Sequence, residues 1–405
     1  MLLLCTVAML LSIPRLHATS ASRSAFHSRH FSVKASGRAS ARRHTNSIKL
    51  LRLSFSSKSD DGMTMNVSRL STLQSLLSER GAPGSIGCNQ GGGDVQPVVS
   101  PSSSEFKDLH PHLIPLARSE SSGNLVCALK RAYADDADYD SQSITAPWPI
   151  VESAVGQPGM RLLSLNSEHL MRRIAADADA NLDESEATRI VEIYNDGLGS
   201  GALSDKSMDI AYEMGSVDKL GYGLEKYVLL RVAPFPDLYE TMSNQHLSRG
   251  DTESSLIAAE ASNGKFGGFG STFSFYAKLL ASLPQREDEC RDAARVTLRM
   301  PLPSLGLTRK DYVDVAKLCA LADSDDTGAS AMSKMLEFYE KIREHEKEEN
   351  SGDKSPKQTA MDDANYLLDV ACLKGQPYGE VRQQIADIYR QAGMIEDASF
   401  AERFL

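Results

Sequence analysis

Apolar residues recur at helical spacing through the second half of this chain, and the rhythm is absent before it. From about Asn166 onward the helix period dominates and strand-like alternation disappears. Asp183-Glu184-Ser185-Glu186 is a capping box ahead of Ile190, Val191 and Tyr194, with Gly197 as a stop. Ser204-Asp205 predicts a helix that ends at Gly215. Residues 224–232 predict a buried helical segment, broken by Pro234 and Pro236. Asp237 and Asp251 predict the caps of two helices joined at Gly250, a tight turn that makes an antiparallel hairpin. Further helices are predicted over 273–283 and 287–299, the latter ended by Pro301 and Pro303, and after the cap Thr308. A long charged helix over 330–348, a linker over 350–358, two helices closed by Gly375 and Gly393, and a last one from Glu396 complete the pattern. The fold class this predicts is all-α, either an α-solenoid of helical hairpins or an irregular helical bundle.

Residues 60–165 have a different texture. They are rich in Ser, Gly and Pro, including Gly91-Gly92-Gly93 and Ser102-Ser103-Ser104, and supply no continuous apolar face. Short amphipathic pieces are expected at 70–77 and 125–133, with an acidic cluster at Asp135, Asp136, Asp138 and Asp140. The prediction is a mostly disordered segment between residues 1–59 and a helical domain at 166–405. Trp148, between Pro147 and Pro149, reads as a packed linker residue.

The first 59 residues hold an apolar run at 2–13, too short for a membrane span, followed by small residues at Ala18, Ser20 and Ala21. A Ser/Arg-rich stretch without acids then continues to Asp60. An apolar signal core in series with an organelle-type transit stretch resembles the bipartite presequence of nucleus-encoded proteins in algae with secondary plastids. The segment Ala21-Ser22-Arg23-Ser24-Ala25-Phe26 carries the likeness to their junction. The resemblance implies the stroma of a complex plastid, with the mitochondrion as the alternative destination.

Charge sharpens the picture once that stretch is set aside. Residues 166–405 carry 27 Lys/Arg against 42 Asp/Glu, a difference of −15. A body this acidic repels phosphate backbones, so direct nucleic-acid binding is disfavoured and protein partners with basic surfaces suit it. The cysteines after Cys5 are scattered, without a Cys-x-x-Cys pair, and Cys290, Cys319 and Cys372 fall on apolar helix faces as small core residues. No run after residue 60 is long and apolar enough to span a membrane.

The joints Gly250 and Pro284 are 284 − 250 = 34 residues apart. In the last hairpin Ala386 takes a small position, Tyr389 an aromatic one, Gly393 the turn and Ala398 the small position of the second helix. On these residues the region from about 235 to 405 resembles a tetratricopeptide-like repeat array. His246 and Ser255 depart from that pattern, standing where an aromatic and an Ala are usual. The resemblance implies a grooved surface that binds proteins, and it nominates Tyr239, His246, Phe266, Phe269, Phe273, Tyr276 and Tyr389 as partner-binding residues.

Catalytic chemistry finds no support. Asp177, Asp179, Asn181 and Asp183 imitate the start of a calcium loop, but Leu182 and Thr188 occupy the positions of its turn glycine and bidentate acid. The glycine loops at 197–201 and 264–270 follow no predicted strand and lack a P-loop ending, so they read as helix stops. His110 and His112 lack partners at metal-ligand spacing, and no nucleophile–base pair can be named. No cofactor is expected. The reading is a non-enzymatic plastid adaptor or assembly factor for a photosynthetic or gene-expression complex. The alternative is an accessory factor of plastid transcription or RNA metabolism, recruited through proteins.

Overall fold

The computed structural model describes residues 67–88, 94–99, 101–130, 148–199, 211–349 and 354–405. The proposed presequence, the acidic cluster at 135–140 and most of the helix expected after Ser204 lie outside them. The described chain is mostly helical, as the periodicity predicts, but it contains a sheet that the periodicity does not. Helix α1 (Val67–Arg80) precedes strand β1 (Val95–Pro97), the single turn α2 (Ser103–Phe106), and strands β2 (Leu113–Ser119), β3 (Leu125–Leu129), β4 (Ile150–Ser153) and β5 (Met160–Ser164). The expectation of an all-α fold with a mostly disordered segment over 60–165 is corrected here. The strands form one antiparallel meander in the order β1-β2-β3-β4-β5.

The sheet escaped the pattern because it is buried on both faces. All five residues of β3 are buried, so it reads as a short apolar run without polar alternation. Its side chains nevertheless alternate in destination. Val126 and Ala128 join Leu73, Leu76 and Leu77 of α1 in one core. That core includes Leu170, Met171 and Ile174 from helix α3 (Ser167–Asn181), and Ile190 and Tyr194 from helix α4 (Glu184–Gly199). Leu125, Cys127 and Leu129 face the other way, into a second core with Phe106, Phe266, Phe269 and Phe404. This second core recruits side chains from distant parts of the sequence, so the sheet sits between the N-terminal helices and the C-terminal half.

Beyond the sheet the helices follow in hairpins. The short helices α5 (Ser216–Leu220) and α6 (Leu224–Arg231) lead to α7 (Pro236–Ser248), α8 (Thr252–Ser262), α9 (Ser271–Ala281) and α10 (Glu287–Thr297). A 3-10 turn at Leu302–Leu305 precedes α11 (Arg309–Leu318), α12 (Gly328–Glu349), α13 (Pro356–Lys374), α14 (Tyr378–Gln391) and α15 (Ile395–Glu402). The expected starts hold at Asp251, whose carboxylate accepts from the Ser254 amide at 3.0 Å, and at Thr308, which forms a capping box with Asp311. Asp237 does not cap α7. It pairs instead with Arg173 at 2.8 and 2.5 Å, and the Arg173 guanidinium lies 4.5 Å from the Phe235 ring centroid. A third core runs from α9 to α15 and holds Cys290, Cys319 and Cys372 among its buried members.

Arg382 of α14 joins the halves. Its side chain is fully buried and has no carboxylate in hydrogen-bond reach among the described residues. The guanidinium donates to the carbonyls of Lys107 at 3.2 Å, Ala401 at 2.8 Å and Leu109. The first and third belong to the segment entering β2, and the second to α15. Around it, the Tyr389 hydroxyl meets His112 Nε2 at 2.9 Å, Tyr378 donates to the Pro158 carbonyl at 2.7 Å, and Lys130 pairs with Asp397 at 2.5 Å. Arg403 donates to the Leu113 carbonyl and lies 4.1 and 4.5 Å from the Phe400 and Phe404 ring centroids. Trp148 meets Phe400 edge-on at 6.0 Å.

A second joint involves Asp369 of α13. Its carboxylate accepts from the Leu302 amide at 2.7 Å, while Tyr312 donates to the Leu302 carbonyl at 2.8 Å. These bonds hold the 3-10 turn, whose exit at Gly306 and Leu307 lies against Arg161 of β5 and Gly159 just before that strand. Burial pushes the Asp369 carboxyl up to about 8, only partly opposed by the Leu302 amide.

Two outcomes follow from the joints. Arg382→Met removes the guanidinium donor from the buried Leu109 and Ala401 carbonyls and the part-buried Lys107 carbonyl, and should lower unfolding stability by on the order of 3 kcal/mol. Arg382→Lys should recover little, because a compact ammonium cannot fork to three carbonyls. Urea unfolding measures both, and a wild-type midpoint in Arg382→Met would refute the joint. For Asp369, the folded carboxyl keeps its proton until about pH 8, whereas an unfolded one releases it near ~3.9. Between those values the unfolded chain binds fewer protons, so stability falls as pH rises. Asp369→Asn should flatten this part of the melting-temperature profile; an unchanged slope in the variant would contradict the assignment.

Candidate partner-binding surface

The nominated surface is built from the hairpins α7–α8 and α9–α10, which turn for different local reasons. Gly250 adopts φ +79°, the left-handed conformation a glycine tolerates at a helix end. At the second turn Gln285 takes φ +61° without being glycine. Within α7–α8 the small positions are serines that bond to each other: Ser243 Oγ donates to the Ser255 carbonyl at 3.0 Å and lies 2.9 Å from its hydroxyl. In α9–α10 the corresponding contact is Cys290 Sγ to the Ala277 carbonyl at 3.4 Å. Ser243 and Ala277 are 277 − 243 = 34 residues apart, the period the joints predict. The last hairpin repeats the device with Ala386 and Ala398, both buried, and Gly393 at φ +76°.

The aromatic nominees divide on burial. Phe266 and Phe269 are each 3% exposed and pack on the sheet, so neither offers a surface to a partner in this conformation. The glycine loop folds them inward. Gly264 and Gly268 have positive φ, and a Cβ on Gly270 would lie 2.4 Å from the Leu305 side chain. That close approach accounts for the 264–270 loop. Gly197 does the same within α4, where a Cβ would meet Thr72 at 2.6 Å. Tyr389 is also buried, in the joint with His112. Tyr239 is half-buried and edge-on to Phe266 at 6.4 Å. His246 is half-buried and lies 3.4 Å from Asp251, at the turn of its own hairpin. Phe273 and Tyr276 are half-buried on α9.

A different surface feature lies on α8, outside the aromatic set. Ser255, Ala258, Ala259 and Ser262 are buried, whereas Glu253, Ile257 and Glu260 stand exposed on another side. Ile257 is 66% exposed. Beside it Leu256 is half-buried against the α9–α15 core, as is Tyr276 of α9. Burial raises the Tyr276 hydroxyl above its ordinary range, and the charges of Glu260 and Glu289 raise it further, which places both carboxylates near that ring. Arg286 opposes them and pairs with Glu289 at 2.5 Å. The signal was available: Glu253, Leu256, Ile257 and Glu260 are spaced at i, i+3, i+4 and i+7.

The remaining candidates have structural partners. Asp177 is paired with Arg80 at 2.7 Å and accepts from Asn181 at 3.0 Å, whereas Asp179 accepts from the Tyr212 hydroxyl at 2.8 Å and the Gly215 amide at 2.7 Å. Asp183 caps α4 through the amides of Ser185 and Glu186, both at 3.0 Å. Asp177 with Asn181, Asp179, and Asp183 therefore serve three separate structural contacts. His110 and His112 belong to an ordered interior instead of a disordered segment. Burial, with the Lys130 charge, pushes the His112 imidazole down to about 3, and burial lowers His110 as well. Both remain neutral in the fold. Among the described residues no group of three or more His, Cys, Asp or Glu could hold a metal ion. No helix among them is long and apolar enough to cross a membrane.

Two family models match the helical half, and the α9–α15 core runs through both matched ranges. The family model of the PAB middle domain matches residues 236–322, beginning at the first residue of α7. That of the PAB C-terminal domain matches residues 335–404, from within α12 to the end of α15. The matching models are these; no tetratricopeptide model matches, and the helical hairpins stand as described. No solved structure matches the chain. A curated relative, Protein IN CHLOROPLAST ATPASE BIOGENESIS, chloroplastic, of Arabidopsis thaliana, is 31% identical over 308 residues, covering 75% of this chain and 81% of the relative. That relative is named for biogenesis of the chloroplast ATPase. By this extent of shared sequence, the chain belongs to the family of Protein IN CHLOROPLAST ATPASE BIOGENESIS.

Proposed function

We propose that this protein is a non-enzymatic assembly factor for the ATPase of the plastid, acting in the stroma and reached through a signal plus a transit peptide. The observation that carries the reading is the relative, whose printed name joins chloroplast location to ATPase biogenesis over most of both chains. The architecture supports it. Small-residue contacts lock the hairpins, and Arg382 ties the last of them to the sheet, so a rigid helical surface is presented to clients. The acidic balance of residues 166–405 favours client proteins over nucleic acid as the direct partner.

Depletion of the protein, followed by native separation of plastid complexes, tests this reading. The assembled ATPase should fall several-fold while other photosynthetic complexes persist, and the wild-type chain should restore it. Loss of plastid transcripts ahead of any loss of ATPase would move the function to gene expression and overturn the proposal.

A further inference from the structure

Ile257 is a large apolar side chain held in solvent by a well-anchored helix. The opposite side of α8 is fixed through Ser255 and the Asp251 cap, so the exposure is not that of a frayed end. Glu253 and Glu260 flank it one turn away on either side and form no ion pair among the described residues. Leu256 and Tyr276 continue the apolar strip toward α9, and Glu260 and Glu289 border that ring. The feature is an apolar stripe with a carboxylate rim. An exposed isoleucine beside half-buried Leu256 and Tyr276 suits the apolar face of another helix, and the carboxylate rim selects the sign of the flanking charges.

We propose that the α8–α9 face docks a basic amphipathic helix of a client protein. The apolar face of the client covers Ile257, Leu256 and Tyr276, while its Lys or Arg residues meet Glu253 and Glu260. The proposal rests on the assembly-factor reading for the client's presence, and on charge complementarity for its character. Charge steers the encounter and sets its orientation, and burial of Ile257 provides most of the affinity.

The test uses the full mature chain and a fluorescent amphipathic Leu/Lys helical peptide, with a Leu/Glu peptide of the same pattern as its counterpart. Anisotropy should show binding of the Leu/Lys peptide only. Ile257→Asp should weaken it about tenfold or more, as expected for losing one buried aliphatic side chain. The double variant Glu253→Gln/Glu260→Gln should weaken it and reduce its dependence on salt. Both substitutions are at exposed positions, and circular dichroism with thermal melting checks that the variants fold. Equal binding by wild type and Ile257→Asp overturns the assignment of this face, as does equal binding of the two peptides or none of either. A concentration-dependent dimer of the chain that Ile257→Asp abolishes would assign the face to a second copy and also overturn it. None of these results alters the depletion experiment, so failure of this site and failure of the assembly-factor reading remain distinguishable.

Discussion

The contact on which the architecture depends is a single buried arginine bonded to backbone. Arg382 lies on α14, yet two of its three carbonyl partners, Lys107 and Leu109, are more than 270 positions earlier in the chain. A guanidinium with no carboxylate hydrogen-bonded to it is costly to desolvate; the nearby Asp108 charge opposes that cost, as do the well-placed carbonyl acceptors. Its burial therefore requires the sheet and the C-terminal hairpin to be formed together. Tyr389, Tyr378, Lys130 and Arg403 repeat the same demand with different chemistry, each joining a C-terminal element to the sheet or to a segment beside it. The consequence is a C-terminal hairpin continuous with the sheet core, not one free to swing from the end of a helical array.

That continuity assigns work to residues that otherwise suggest chemistry. His110 and His112 look like a short metal motif, but they occupy the joint and are kept neutral by burial. Asp177, Asp179 and Asp183 look like a calcium loop, but each is committed to a different neighbour. The glycines of the 264–270 loop look like a phosphate cradle, but they return Phe266 and Phe269 to the sheet. What remains for partners is the outward side of helices that are fixed on their inward side.

Most of the helical half was legible in the sequence because its signals are local. Capping residues such as Asp251 and Thr308, stops such as Gly375 and Gly393, and apolar periodicity each act within a few residues. The sheet was not legible, for a matching reason. Strands such as Leu125–Leu129 are apolar on both faces, too short for periodicity to judge, and set among Ser, Gly and Pro. Their partners come from α1, α3 and the extreme C-terminus, which no local pattern connects. The same limit affected the surface. Phe266 and Phe269 look available in a glycine loop until their long-range packing is seen, whereas Ile257 passes as one more apolar helix position until its exposure is known.

The central claim is that an ATPase client occupies the α8 face inside the plastid. Photo-crosslinking tests it most directly, with a photoreactive residue placed at position 257 and, separately, at position 395, the other exposed isoleucine on a helix among the described residues. The account predicts a crosslink from position 257 to a subunit of the ATPase, mapping to a basic helical segment, and no such product from position 395. An ATPase crosslink arising equally from position 395, or only from there, would contradict it.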